Sequence, residues 1–216
     1  MSKQKSEYLS VLGKLKLFKG IVDDLKAAGG GDEEIAALGR KEVRGRVAGV
    51  LLEATKKATF PAWRTLTVNP NLRTADDFRR ALTDKGFLIS GWANDILDRA
   101  NLTVPESVTE LELVVLSNAK LGFPNGAIYG DTCRRILELG YDLCPPRAGP
   151  ELRIQYSDQP LGEWLILAME PVAALGDCLD AWRVERDSDG RWLRGAYGSP
   201  SDFWFGDDRF VFVRRK

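Results

Sequence analysis

The chain has 216 residues, 44% hydrophobic and 29% charged, with 31 basic side chains against 31 acidic ones and not one histidine. The missing histidine excludes Ser-His-Asp and Cys-His catalysis, HExxH metalloproteolysis, histidine-ligated haem and zinc sites that use histidine. The composition is that of a folded protein of one large or two small domains, with no apolar run near the roughly 20 residues that span a bilayer.

The zero net charge hides an asymmetry. Residues 1–106 carry 18 Lys and Arg against 14 Asp and Glu, and residues 107–216 carry 13 against 17. Ten of the twelve lysines fall in the first half and thirteen of the twenty aromatic residues in the second. Lysine suits helix surfaces and aromatic residues suit pleated, half-buried ones, so the halves are expected to differ in class.

The start, MSKQKSEYLS, is basic but has no apolar core, so no secretory signal is expected. Tyr8, Val11, Leu12, Leu15, Phe18, Val22 and Leu25 recur at helical spacing and predict an amphipathic helix over 6–27. Gly29-Gly30-Gly31 stops it, and Asp32-Glu33-Glu34 suits the start of a second helix with Asp32 as N-cap. A stripe from Ile35 to Ala54 predicts that this helix runs on to Lys56-Lys57, making 1–58 a helical hairpin. Its lysines Lys14, Lys16, Lys19 and Lys26 offer a contact for nucleic acid, but basic residues interleaved with apolar ones are ordinary solvated surface.

Residues 59–106 read as short helices with one strand. Trp63 to Val68 has strand character, Thr74-Ala75-Asp76-Asp77 forms a capping box with Asp77 in place of Glu, and Ser90 caps a further helix. The linker candidate is 101–107. Residues 107–216 then read as an α+β domain. A strand over 109–116 is followed by a helix through Ile128, Thr132, Ile136 and Leu139, and further strands are expected at 141–144, 152–156, 163–169, 179–185 and 191–196. Asp187-Ser188-Asp189-Gly190 predicts a hairpin between the last two, and 203–205 with 210–213 a final one. The expected fold is α+β: a helical N-terminal region, then a mainly antiparallel, aromatic-rich sheet with one or two helices.

The densest mixture of polar and aromatic groups is 153–164. If strands 152–156 and 163–169 pair, their loop gathers Arg153, Asp158, Gln159, Glu163 and Trp164 into a candidate ligand site. The bland alternative is an Asp-turn beside a cross-strand Glu163–Arg153 ion pair. Cys133, Cys144 and Cys178 form no CxxC and fit reduced thiols of a cytoplasmic protein, more as small buried hydrophobes than as nucleophiles or metal ligands. Asp187-Ser188-Asp189-Gly190 lacks the later acidic ligand of an EF-hand, and both GxxxxGK[ST] and GxGxxG are missing, so no metal or cofactor is expected. Trp164, Trp182, Trp192 and Trp204 suit core packing, with a stacking platform as the alternative.

FRRALTDKGFLISGWANDIL (78–97), LGYDLCPPRAGPELRIQYSDQPLGEWLILAMEPV (139–172) and DDRFVFVRRK (207–216) together resemble a group of uncharacterised bacterial proteins with no assigned activity. The resemblance implies a bacterial cytoplasmic origin and makes 1–58 a more variable attachment. The leading functional expectation is a non-catalytic binding or protein-interaction module, its partner an unknown protein or small polar ligand. A carboxylate-dependent hydrolase using Asp158 and Glu163 is the alternative. Nucleic acid binding through the basic N-terminal helices is disfavoured by the zero net charge, and no membrane association is expected.

Overall fold

The computed structural model describes residues 11–46, 59–173 and 178–215, with side chains from residue 19 onward. The chain forms two compact units, Met1–Lys57 and Ala58–Lys216. Among the described residues no helix is long and apolar enough to cross a membrane.

In the first unit, α1 (Val11–Ala27) ends where Gly29 takes a φ of 86°. That left-handed conformation is open to glycine at little cost, and it lets Gly30 N–H close back on Leu25 O at 2.8 Å. The next helix, α2 (Asp32–Ala37), has Gly31 as its N-cap, not Asp32. Glu34 explains the shift, because its carboxylate accepts the Gly31 N–H at 2.8 Å and satisfies the end of the helix itself. The expected long helix is also interrupted: the chain turns at residues 38–40 before helix resumes at 41–46. The rest of that stripe, residues 47–58, and the side chains of Lys14 and Lys16 lie outside the described residues.

The second unit is built on one curled, mainly antiparallel sheet. Its strands are β1 (Arg64–Val68), β2 (Leu88–Ile89), β3 (Thr109–Ser117), β5 (Trp164–Leu167), β6 (Val172–Ala173), β7 (Leu179–Arg186), β8 (Arg191–Tyr197) and β10 (Arg209–Val213). They run in the order β1-β3-β10-β5-β7-β8-β2, with β6 beside β7. Among the described residues only the β10–β5 and β2–β8 pairs are parallel. A separate two-stranded sheet joins β4 (Ala127–Ile128) to β9 (Phe203–Trp204). The helices are α3 (Ala75–Asp84), α4 (Gly91–Arg99), α5 (Asn118–Leu121), α6 (Tyr129–Glu138) and α7 (Ala148–Gln155). Because β1 and β2 belong to the same sheet as the later strands, residues 59–106 share a core with 107–216.

Several local expectations are met for the reasons given. Thr74 accepts the Asp77 N–H at 3.1 Å while Asp77 accepts the Thr74 N–H at 2.9 Å, a closed capping box. Ser90 caps α4 through Ala93 N–H at 3.2 Å. The Asp-Gly turn joins β7 to β8 in the register Arg186↔Arg191, and Asp187 Oδ1 accepts the Asp189 and Gly190 N–H groups.

Three strand expectations fail. Residues 141–144 contribute only the single bridge Asp142↔Val213. Residues 203–213 form no hairpin, since β9 pairs with β4 while β10 runs between β3 and β5. Phe210, Val211 and Phe212 are fully buried, which is why this strand belongs in the middle of the sheet and not at an edge.

The largest correction is at 152–156, which is the end of helix α7. Ala148 to Ile154 are all buried, Glu151 and Arg153 included. The helix lies in the hollow of the curled sheet, touching β1 from one end of the strand order and β7 and β8 from the other. Its polar side chains serve the interior. Gln155 accepts the Thr67 N–H at 3.1 Å and donates to Thr67 O at 2.7 Å, so it completes the free edge of β1. Glu151 accepts from Asn69 N–H at 2.9 Å and pairs with Arg147 at 3.1 Å.

Candidate functional site

The helical course of 152–156 rearranges the residues expected to form a site. Arg153 is completely buried, and its guanidinium donates to Gln159 Oε1, to Tyr156 O and, at 3.3 Å, to Glu185 O. Gln159 is equally buried, and its Nε2 donates to Glu163 O at 3.1 Å and Val184 O at 3.3 Å. These two side chains clamp the 156–163 loop onto β7.

Asp158 points the other way. Its side chain is 70% exposed and meets Arg64 at 2.8 Å, while the Arg64 guanidinium sits 4.5 Å from the Tyr156 ring centre. Hydrogen bonding to its own backbone N–H, then to Arg64, holds the Asp158 carboxyl below the usual range. Glu163 is held separately: Tyr156 Oη donates to it at 2.5 Å and Arg209 pairs with it at 2.7 Å. Burial and the Glu163 bond push the Tyr156 hydroxyl up. Trp164 packs against Trp204 at 6.2 Å and under the Arg183 guanidinium at 5.5 Å.

Of the five, the structure joins Arg153 to Gln159. Glu163 and Trp164 line a hollow, an open one of about 420 Å³ bounded also by Pro160, Asp207 and Arg209. Asp158→Ala is expected to leave stability nearly unchanged, as for other exposed pairs. Gln159→Ala should cost about 2–3 kcal/mol, because the Arg153 guanidinium loses a buried acceptor. Chemical denaturation of the two variants checks the contrast, and equal losses would contradict the geometry.

A second hollow, more enclosed and about 260 Å³, lies at the far end of the β7–β8 hairpin. Alternation along the paired strands places Cys178, Asp180, Gly195 and Tyr197 on one face, toward α4, which adds Trp92. Asp180 is 4% exposed, and its Oδ2 has no hydrogen-bond partner among the described residues. A Cβ at position 195 would stand 3.7 Å from that oxygen and 2.9 Å from Trp92 Cβ, so glycine there lets α4 pack close against β8 beside the carboxylate. Arg183 also lines the hollow, but it falls on the opposite parity of the strand and is paired with Glu185 at 2.9 Å.

Burial raises the Asp180 pKa, and the charges of Asp95 on α4 and Asp202 before β9 raise it further. Asp95 is itself paired with Arg99 at 2.9 Å, and Asp202 accepts the Ser199 N–H at 2.7 Å. The pocket thus combines a buried carboxylate, one oxygen of which has no hydrogen-bond partner among the described residues, with two rim aromatics, Trp92 at 53% and Tyr197 at 74% exposure.

On sequence, Asp180 is one of the aspartates between 177 and 208 that invite a calcium reading, and that reading does not single it out as a binding residue. The available signal was its parity: in Leu179-Asp180-Ala181-Trp182-Arg183-Val184 it shares a face with Trp182 and Val184, where an apolar residue is expected. The cysteines are as anticipated for two of three, since Cys133 and Cys144 are buried and Cys178 is exposed. Burial pushes the Cys133 thiol up to about 12, far from a reactive thiolate. No group of three or more metal-ligating side chains occurs among the described residues.

Comparison with protein families, curated proteins and solved structures finds no match to the chain.

Proposed function

We propose that the chain is a non-catalytic binding module whose ligand enters the hollow beside Asp180. The observation that carries this reading is the Asp180 carboxylate itself. A buried carboxylate with an oxygen left unpartnered among the described residues costs stability, and residues that cost stability persist where function uses them. The pocket is small: about 260 Å³ lies just under the usual range for small-molecule sites, roughly 300–1,000 Å³.

The test weighs function against stability. Asp180→Asn keeps the shape and removes the charge, so it is expected to stabilise the fold by on the order of 1 kcal/mol at neutral pH. The sign follows from linkage. Asp180 has a raised pKa when folded, so the penalty begins as pH climbs above the ordinary value of 3.8, where the unfolded chain ionises first, and is complete once pH has passed the raised value. Below the ordinary value of 3.8 both folded and unfolded states are protonated, and the gap between variant and parent should close. Paired urea melts from acid to neutral pH measure this. A loss of stability at neutral pH would make Asp180 a structural residue and remove the basis of the reading.

A further inference from the structure

We propose that this pocket takes a small organic ammonium ion, whose N–H donates to the Asp180 carboxylate while its alkyl part rests against Trp92 and Tyr197. This names the ligand class of the site just described and rests on that reading.

Charge carries the argument first. Asp180 is nine-tenths buried with Oδ2 unpartnered among the described residues, and the guanidinium of the lining, Arg183, falls on the other face of the hairpin, where it shares Glu185 with Arg194. Asp95 and Asp202 add negative potential from α4 and from the turn before β9. An anion would meet repulsion first from Asp180 itself, and a neutral guest would leave its buried charge uncompensated. A cation with N–H donors resolves both.

The walls decide between a metal and an organic cation. Calcium requires six to eight oxygen ligands and magnesium near-octahedral oxygen coordination. The lining offers one carboxylate, Asp180, among the aromatic rings of Trp92, Tyr197 and Trp204, with Arg183 on the opposite parity of the strand. Indole and phenol rings attract cations through their electron-rich faces, and carboxylate with aromatic walls is a known chemistry for alkylammonium recognition. Gly195 lets Trp92 lie close to the carboxylate, since a Cβ there would stand 2.9 Å from Trp92 Cβ and 3.7 Å from Asp180 Oδ2.

The experiment titrates the full chain with n-butylammonium, 1-butanol and butyrate, three probes of similar size and different charge. Tryptophan fluorescence and the alkylation rate of Cys178, which is exposed and lines the pocket, report occupancy. n-Butylammonium is expected to bind at least about tenfold tighter than 1-butanol, and butyrate not at all. Asp180→Asn should weaken n-butylammonium by about tenfold or more, and Trp92→Ala, at an exposed position, should weaken it with the melting temperature unchanged. If 1-butanol or butyrate protects Cys178 as well as n-butylammonium does, or if Asp180→Asn binds n-butylammonium normally, the ammonium assignment is wrong while the pocket remains a ligand site. If none of the three probes alters either signal, the ligand-site reading falls with it.

Discussion

Replacing Gly149 by alanine is expected to destabilise the second unit by about 3 kcal/mol, although the same change in an ordinary helix is favourable by about 1 kcal/mol. Two effects of opposite sign meet at this position. Helix propensity favours alanine, because glycine loses more backbone freedom on folding. Packing opposes it, because a Cβ at 149 would fall inside the contact distance of Trp182 Cγ and Cδ1, with Cδ2 at 2.8 Å. The indole cannot step aside easily. Trp182 is fully buried and its Nε1 is tied to Pro146 O at 2.5 Å. Packing therefore wins, and the expected fall in melting temperature is roughly 10 °C for a unit of this size. A double-mutant cycle with Trp182→Leu isolates the cause, since the smaller side chain should make Gly149→Ala far less costly. A neutral or stabilising Gly149→Ala would show that α7 does not rest on β7 as described.

That close approach also explains which parts of the fold the sequence reveals. Elements with one wet face and one dry face are legible: the Thr74 and Ser90 caps, the Asp-Gly hairpin between β7 and β8, and β3 all follow from local chemistry. Helix α7 has no wet face over Ala148 to Ile154. Its apolar residues Leu152, Ile154 and Tyr156 alternate with Arg153 and Gln155, which imitates a strand of period two. Helical periodicity marks a boundary between water and core, and a helix enclosed by a curled sheet has no such boundary. The same blindness hides Asp180. A carboxylate on the inward parity of a strand is a local inconsistency, and such inconsistencies concentrate at functional sites. Reading it requires the strand's inward face to be known first, and the β7–β8 register supplies that only in three dimensions.

Arg153→Ala should cost about 3–5 kcal/mol, placing the core of the expected ligand loop among the strongest structural positions of the unit. The guanidinium is fully buried, and among the described residues no carboxylate forms an ion pair with it. Its charge is instead spread over neutral acceptors, Gln159 Oε1, Tyr156 O and Glu185 O, and over the Phe87 ring at 5.0 Å. Burial, with Arg191 adding repulsion, lowers its pKa to about 10, so it stays protonated at neutral pH. Alanine removes the packing volume and leaves three acceptors unsatisfied, two of them carbonyls that fix the loop to β7. Methionine separates these losses. It refills much of the volume without charge, and replacing buried ionic groups with well-packed apolar ones is often tolerated. Arg153→Met is therefore expected to recover about half of the alanine loss, the remainder measuring the orphaned acceptors. Denaturation midpoints of the two variants against the parent decide it. If Arg153→Ala costs no more than Asp158→Ala, the buried clamp is absent and the loop is free to act as a ligand site after all.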